Sequence, residues 1–185
     1  MNAVTTNDQG FELRPMTAQD APAILAFAAA LPIADLLFLQ RDIRVEKVVA
    51  AWIRQTESGL IRSHLAFANG ELIGCAALVR DALSWSPHVA EIRIVVSRDH
   101  RRIGVGRQLA EQAFALALAD GTEKLVVSIL PEQRGAIALF EEMGFRAEAM
   151  LRDHVRDADG VKHDLAILSI DLLRQGAQHV AYGRG

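Results

Sequence analysis

The feature that most constrains the fold is a glycine-rich junction near the middle of the chain. An apolar run, Ala90–Val96, leads into the glycine loop at 101–106, and a helical pattern follows directly. Gly104 and Gly106 allow a sharp turn and let a ligand approach the backbone closely. The first N–H groups of a helix lack intrahelical acceptors, and the helix dipole adds partial positive charge there. The junction therefore predicts a strand–loop–helix unit that binds an anion.

Two well-known phosphate-binding loops fit this spacing poorly. A Walker loop requires Gly-Lys followed by Ser or Thr, whereas Arg107 and Gln108 follow Gly106. A dinucleotide-binding fingerprint would place its third glycine at Leu109, where a large side chain prevents close helix–strand packing. The remaining pattern, Arg-x-x-Gly-x-Gly at 101–106, resembles the acetyl-coenzyme A loop of the Gcn5-related N-acetyltransferase (GNAT) family.

A second segment carries the same resemblance. Further along, residues 133–145 follow the family motif Asn-x-x-Ala-x-x-Leu-Tyr-x-x-x-Gly-Phe at Ala136, Leu139, Gly144 and Phe145. By itself the glycine loop could also be an ordinary turn before a helix. With both motifs in the family's order, and a strand-like run between them, the chain resembles GNAT proteins from Glu12 to about Leu173.

Composition points to a single domain. A chain of 185 residues that is 51% hydrophobic can fill one core, so we expect one GNAT domain over 1–185 with flexible tails at 1–9 and 176–185. The lone cysteine, Cys75, lies in an apolar run and is predicted to be a buried core residue. No secretory signal or membrane span is visible, which favours a cytoplasmic protein without a membrane partner. The net charge of −3 argues against a nucleic-acid partner, and a homodimer is compatible with the sequence.

The order of predicted elements is strand, two helices, three strands, helix, strand, helix and two strands. Thr17 and Asp20 resemble a capping box for a helix at 18–30, and Asn69-Gly70 is a strong hairpin signal. Together with the resemblance, this order implies an α/β (α+β) fold of the GNAT acyl-CoA N-acyltransferase type. Its mixed, mostly antiparallel sheet would have about seven strands flanked by about four helices, with a parallel pair at the centre.

The resemblance implies where acetyl-CoA would bind as a cosubstrate. In the family, the fourth and fifth predicted strands splay apart, the pantetheine arm pairs with the backbone of the fourth, and the pyrophosphate rests on the N–H groups of the loop. The amide of Gln133 would also contact the coenzyme. The predicted coenzyme-binding residues are Ile94, Val95, Val96, Arg101, Arg102, Ile103, Gly104, Val105, Gly106, Arg107, Gln133 and Phe140.

The implied reaction is attack of a primary amine on the acetyl thioester through a tetrahedral intermediate. A lysine-type amine has a reference pKa of about 10.4, so a base must remove its proton near neutrality. Glu91 resembles the family's glutamate base, although it could equally be a structural glutamate paired with Arg93. Phe140 occupies the position of a tyrosine that protonates the departing thiolate, so turnover should be slower.

Two further alternatives concern function. Because phenylalanine at 140 cannot donate a proton, the chain could instead be a coenzyme A-binding sensor or regulatory module without turnover. The charged hairpin at 153–164 lacks the spacing of a calcium loop or a helical zinc pair, so no metal is expected there. Cross-strand pairing, for example of Asp157 with Lys162, is the preferred interpretation of its charges.

Overall fold

The computed structural model describes residues 5–6, 10–39 and 41–173. The tails predicted at 1–9 and 176–185 lie outside these ranges, apart from Thr5 and Thr6. No helix within the described ranges is long and apolar enough to cross a lipid bilayer.

An eight-stranded mixed sheet forms the centre of the molecule, with the strand order β1-β2-β3-β4-β5-β6-β8-β7. The strands are β1 (Thr5–Thr6), β2 (Glu12–Pro15), β3 (Ile61–Ala68), β4 (Glu71–Arg80), β5 (Val89–Val96), β6 (Lys124–Ile129), β7 (Arg146–Arg156) and β8 (Lys162–Asp171). Among the described strands, β5 and β6 form the one parallel pair. The predicted fold class is confirmed: all seven predicted strands are present, and the two-residue β1 is added at one edge.

Four α-helices cover the two faces of the sheet. They are α1 (Ala21–Ala30), α2 (Glu46–Glu57), α3 (Val105–Ala119) and α4 (Arg134–Glu142). Helices α1 and α2 bury Ile24 and Val49 against one face, where Leu65 and Val95 are also buried. Helix α3 packs on the opposite face, and the core there includes Phe145. The glycine junction therefore lies in the middle of the sheet, between two apolar layers.

The predicted helix at 18–30 begins later than expected. Residues Ala18–Asp20 form a 3-10 turn, and the α-helix starts at Ala21. The carboxylate of Asp20 accepts hydrogen bonds from the backbone N–H and the hydroxyl of Thr17, at 2.7 and 2.9 Å, and from the guanidinium of Arg14, at 2.6 and 2.9 Å. The capping box is thus present, but it closes the tighter turn before the helix rather than the helix itself.

The turns follow the sequence signals closely. Asn69 and Gly70 have φ values of 49° and 83°, the double positive φ that a two-residue hairpin between β3 and β4 requires. Gly144, with φ 98°, follows the end of α4 and leads the chain into β7.

Candidate functional site

The parallel pair β5–β6 separates part-way along its length. Its register runs only from Val89 opposite Lys124 to Ile92 opposite Val127. Beyond Ile92, β5 stays paired with β4, and β6 stays paired with β8. Within the described residues 93–96, the edge of β5 that faces β6 therefore has no strand partner. Such an open edge inside a sheet offers backbone donors and acceptors to an extended ligand.

A cavity of about 960 Å³ occupies the gap between the separated strands. The wall on the β5 side includes Ile94, Val95 and Val96, and the wall on the β6 side includes Ser128 and Ile129. Because the walls are largely apolar and the strand edges polar, the gap suits a chain that carries amide groups between methylene segments.

One end of the cavity is the amino terminus of α3. Gly104 adopts a left-handed φ of 92° directly before the helix, and the first backbone bond back to it comes from the N–H of Gln108, at 3.0 Å. The N–H groups of residues 105–107 consequently have no acceptor within the helix, and Gly104, Gly106 and Arg107 line the cavity. This end of the cavity has the geometry of an anion site.

Arginine side chains surround that end of the cavity in different states of pairing. The Arg101 guanidinium donates to the carbonyl of Val96, at 3.2 Å, and lies 2.8 Å from the Asp35 carboxylate. Arg98 also donates to Asp35, at 3.2 Å. Arg107 pairs with Glu142, whereas Arg102 is exposed on the cavity wall without an ion pair among the described residues. Positive charge is thus concentrated at this end and only partly neutralised.

The structure brings most of the predicted coenzyme-binding residues to this one cavity. Those that line it are Ile94, Val95, Val96, Arg101, Arg102, Gly104, Gly106, Arg107, Gln133 and Phe140. Two do not: Ile103 is exposed on the loop, and Val105 is fully buried in the core beneath it. For these two positions only the backbone could serve a ligand.

Glu91 lies beside the cavity rather than in its wall. Its carboxylate accepts hydrogen bonds from the Arg93 guanidinium, at 2.6 and 3.0 Å, and from the hydroxyl of Ser128, at 3.2 Å. Ser128 is buried and lines the cavity. The side chain of Glu91 is 19% exposed, so it reaches the cavity through Ser128 or through water.

Phe140 and Gln133 lie on the far wall of the cavity, on and before α4. The Phe140 ring is buried and contacts the Phe145 ring edge to face, with centroids 5.1 Å apart. This packing keeps Phe140 on the wall as an apolar surface. Gln133 is the residue before the first turn of α4, and its side chain is partly exposed.

The polar residues of this cavity that were not predicted from the sequence include Asp35, Ser128 and His163. Asp35 is contributed by the connection between α1 and α2, which also places Phe38 on the wall. His163 is on β8, and its Nε2 lies 2.9 Å from Asp157 Oδ2. The predicted pairing of Asp157 with Lys162 is therefore wrong, since Lys162 lies 3.9 Å from Asp153 instead.

A second cavity, of about 440 Å³, lies on the other side of the connection between α1 and α2. Its wall combines that connection, at residues 33–44, with the hairpin between β7 and β8, at residues 155–158. Asp157 lines this smaller cavity and His163 the larger one. No group of His, Cys, Asp and Glu side chains within the described ranges is arranged to hold a metal ion.

Known proteins share both sequence and fold with this chain. The chain is similar to N-acetyltransferase family 8 member 3 of Rattus norvegicus, with 26% identity over 134 residues that cover 66% of this chain and 59% of that protein. Matches to the curated relatives cover only 37% to 59% of their own lengths.

Solved structures share the fold over most of the chain. An N-acetyltransferase from Staphylococcus aureus Mu50 superposes with a TM-score of 0.76 at 22% identity, covering 90% of this chain and 99% of that one. The yncA protein of Salmonella typhimurium, solved with its cofactor acetyl-CoA, gives a TM-score of 0.73 at 18% identity, covering 88% and 94%. These likenesses establish the fold. The model of the Acetyltransferase (GNAT) family matches residues 27–145, and the chain belongs to that family.

Proposed function

We propose that this protein is an enzyme that transfers the acetyl group of acetyl-CoA directly to a primary amine of a small molecule or a protein. The observation that carries the proposal is the gap between β5 and β6, because it runs from an open strand edge to the amino terminus of α3. An extended pantetheine arm and a pyrophosphate need these two features in this order.

The residues present fit acetyl-CoA as cosubstrate. Backbone groups of residues 94–96 would pair with the pantetheine amides, and the N–H groups of 102–107 would hold the pyrophosphate, assisted by the Arg102 guanidinium. Gln133 would contribute its amide from the opposite wall. When bound, the thioester supplies an electrophilic carbonyl carbon for the acceptor amine. We propose that a backbone N–H near Val96 stabilises the negative oxygen that forms there.

Transfer through a covalent acetyl-cysteine is not available to this chain. Cys75 is its only cysteine, and it is 4% exposed within the core between β4 and α1. Burial raises the pKa of the Cys75 thiol to about 12, so the nucleophilic thiolate is essentially absent near neutrality. A direct attack by the amine is therefore the supported route.

Glu91 would assist this attack through Ser128. The Glu91 carboxylate accepts a hydrogen bond from the Ser128 hydroxyl. The lone pairs of the serine oxygen can then accept a hydrogen bond from water or from an amine in the cavity. The ion pair with Arg93 holds the Glu91 carboxylate in position. We propose Glu91 as a proton acceptor that works through this hydroxyl or a water molecule.

A sensor that binds acetyl-CoA without turnover is the alternative function, and Phe140 is the observation that favours it. Phe140 supplies no proton to a departing thiolate, and its ring is packed rigidly against Phe145. A thiol of reference pKa about 8.5 can nevertheless leave without full protonation, so we retain the enzyme as the main proposal.

A thiol-release assay distinguishes the two functions. The wild-type protein is given acetyl-CoA and a panel of primary amines that includes butylamine, ethanolamine, free amino acids and lysine peptides. We expect release with at least one amine, and a fall in kcat of about 100-fold in Glu91→Gln. The exposed Glu71→Gln is the matched control and should keep the wild-type rate.

Three other outcomes of the binding and thiol-release experiments would lead to different conclusions about the function. A thermal shift with acetyl-CoA but no thiol release across the panel would favour the sensor. Absence of any acetyl-CoA binding would contradict both functions. A wild-type rate in Glu91→Gln would remove Glu91 from the mechanism and leave the transferase intact.

A further inference from the structure

We infer that His163, held by Asp157, is the group that accepts the first proton of the acceptor ammonium group, and that the acceptor enters from the smaller cavity. The inference rests on the proposed acetyl transfer and assigns a catalytic role to a histidine on β8, outside both sequence motifs.

The position of the pair is the first support. Asp157 lines the smaller cavity, His163 lines the larger one, and a 2.9 Å contact between Asp157 Oδ2 and His163 Nε2 joins them. The connection between α1 and α2 lines both cavities, with Ile33 and Leu36 on the smaller cavity and Ala34 and Phe38 on the larger. The pair thus lies where the two cavities approach each other.

Asp157 is fixed before any ligand binds. Its Oδ1 accepts the backbone N–H groups of Asp159 and Val161, at 3.0 and 2.9 Å, which closes the turn between β7 and β8. The hydrogen bond from His163, followed by these two backbone bonds, holds the pKa of Asp157 below its ordinary value. An ionised and immobile carboxylate is therefore available to orient the imidazole.

The contact with Asp157 also selects the imidazole tautomer. A carboxylate accepts and does not donate, so Nε2 carries the proton and Nδ1 keeps its lone pair. Nδ1 makes no hydrogen bond to another described residue. Nδ1 is therefore the atom of His163 that can accept a proton from a ligand.

His163 has more direct access to the cavity than Glu91 does. The side chain of His163 is 27% exposed and belongs to the wall itself, whereas Glu91 acts across the Ser128 hydroxyl. The other charged side chains around the same cavity are Asp35, Arg98, Arg101, Arg102, Arg107, Glu132 and Arg134. Asp35 is engaged by Arg98 and Arg101, and Lys162 and Asp164 are the chain neighbours of His163.

The proton and electron balance of the step is simple. Nδ1 takes one proton from the ammonium group, and the freed nitrogen lone pair forms the N–C bond to the acetyl carbon. The adduct loses its second N–H proton to Glu91 through water or the Ser128 hydroxyl, and the C–S bond breaks with its electron pair on sulfur. The imidazolium then returns its proton to the thiolate, a task that Phe140 cannot perform.

The test uses the pH dependence of acetyl transfer to the best amine of the panel. In wild type, kcat/KM should fall on the acid side as the imidazole becomes protonated. In His163→Gln, the glutamine N–H can still reach Asp157 but the imidazole that takes the first proton is absent, so we expect kcat to fall about 100-fold and this acid limb to disappear. The KM for acetyl-CoA should change less than threefold. His154→Gln, an exposed histidine of the same hairpin, is the matched control.

Asp157→Asn leaves the imidazole in place and tests the pair independently. Loss of the carboxylate destabilises the imidazolium, so the acid limb should move to lower pH and kcat should fall about tenfold. An NMR spectrum of the imidazole nitrogens of the wild-type chain should show the proton of the neutral ring on Nε2.

Results that contradict the proposed function can be distinguished from results that contradict the role of His163 or Asp157. Absence of thiol release in wild type contradicts the proposed function and this inference together. A wild-type rate and an intact acid limb in His163→Gln, or a neutral ring protonated on Nδ1, would overturn the inference alone. An unmoved acid limb in Asp157→Asn would overturn the role of Asp157.

Discussion

Arg102 combines a strained backbone conformation with a charge that suits an anionic ligand. Its φ of 69° lies in the left-handed region, which costs a residue with a Cβ roughly 1 kcal/mol. The related family loop often has glycine at this position, which the backbone conformation explains. In this chain an arginine is retained there, exposed on the cavity wall next to the amino terminus of α3. Arg102 thus brings a positive charge to the anion site at a cost in backbone strain.

Two substitutions of Arg102 separate strain from charge. Both Arg102→Gly and Arg102→Ala remove the guanidinium, so we expect each to raise the Kd of acetyl-CoA about tenfold at low salt, with a smaller effect at high salt. Only the glycine variant relieves the left-handed strain, so its free energy of unfolding should exceed that of the alanine variant by about 1 kcal/mol. Calorimetric titration and chemical denaturation measure the two quantities. A wild-type Kd in both variants would show that Arg102 does not contact the coenzyme.

Some residues of the site could be predicted from the sequence, and others could not. The loop residues could be predicted because Gly104, Gly106 and their arginines are neighbours in the chain, so their spacing is visible. Asp35 meets Arg98 across a sequence separation of 63 residues, and His163 reaches the cavity only because β8 is inserted between β6 and β7. No local pattern marks such residues, since their proximity is created by the topology.

At the scale of elements, two glycines near the contact between α3 and the sheet have different roles: Gly74 allows the helix to pack closely, and Gly106 leaves space for a ligand. A Cβ on Gly74 of β4 would meet the Val95 carbonyl oxygen and a methyl of Leu109 at 3.1 Å, and a methyl of Val105 at 3.2 Å. Gly74 is therefore needed for the helix to pack closely on β4 and β5. A Cβ on Gly106 would meet side-chain atoms no closer than 3.7 Å, so the fold tolerates it, and its absence leaves space for a ligand.

The same Gly→Ala change should consequently have opposite effects at these two positions. Gly74→Ala should lower the free energy of unfolding by about 2 kcal/mol through overpacking against a backbone oxygen that cannot move aside. Gly106→Ala, inside the first turn of α3, should raise it by about 0.5 kcal/mol and yet weaken acetyl-CoA binding at least tenfold. Chemical denaturation with and without acetyl-CoA tests both. Unchanged binding in Gly106→Ala would contradict contact between the coenzyme and this turn.

Element boundaries were predictable where a backbone signal is unambiguous and less so elsewhere. The hairpin at Asn69-Gly70 requires positive φ and was predicted correctly. The start of α1 was wrong by three residues because Asp20 is held by both Thr17 and Arg14. The bond to Arg14 comes from the preceding strand and carries no helical signature in the sequence.

For the molecule as a whole, a bound coenzyme would add contacts between the two parts of the opened sheet. The two parts of the sheet, β1–β5 and β6–β8, are joined in the sheet by the short parallel register of residues 89–92 with 124–127. Helix α3 packs on β3, β4 and β5, on one side of the gap. A ligand that pairs with the β5 edge and contacts the walls on both sides would bridge the two parts of the sheet. Its binding should therefore raise the free energy of unfolding.

Acetyl-CoA should therefore stabilise the whole chain in a way that depends on its phosphates. At a free concentration of 100 times the Kd, a ligand specific for the folded state contributes about 2.7 kcal/mol, which corresponds to a rise in Tm of about 5–10 °C for a domain of this size. S-Acetylpantetheine, which can fill the gap but has no pyrophosphate, is the matched control and should give a much smaller shift at the same concentration. Added salt should reduce the acetyl-CoA shift and leave the control unchanged, since only the anion site at α3 is electrostatic. Equal shifts from the two ligands would mean that the glycine loop does not bind the phosphates, even if the gap binds the pantetheine arm.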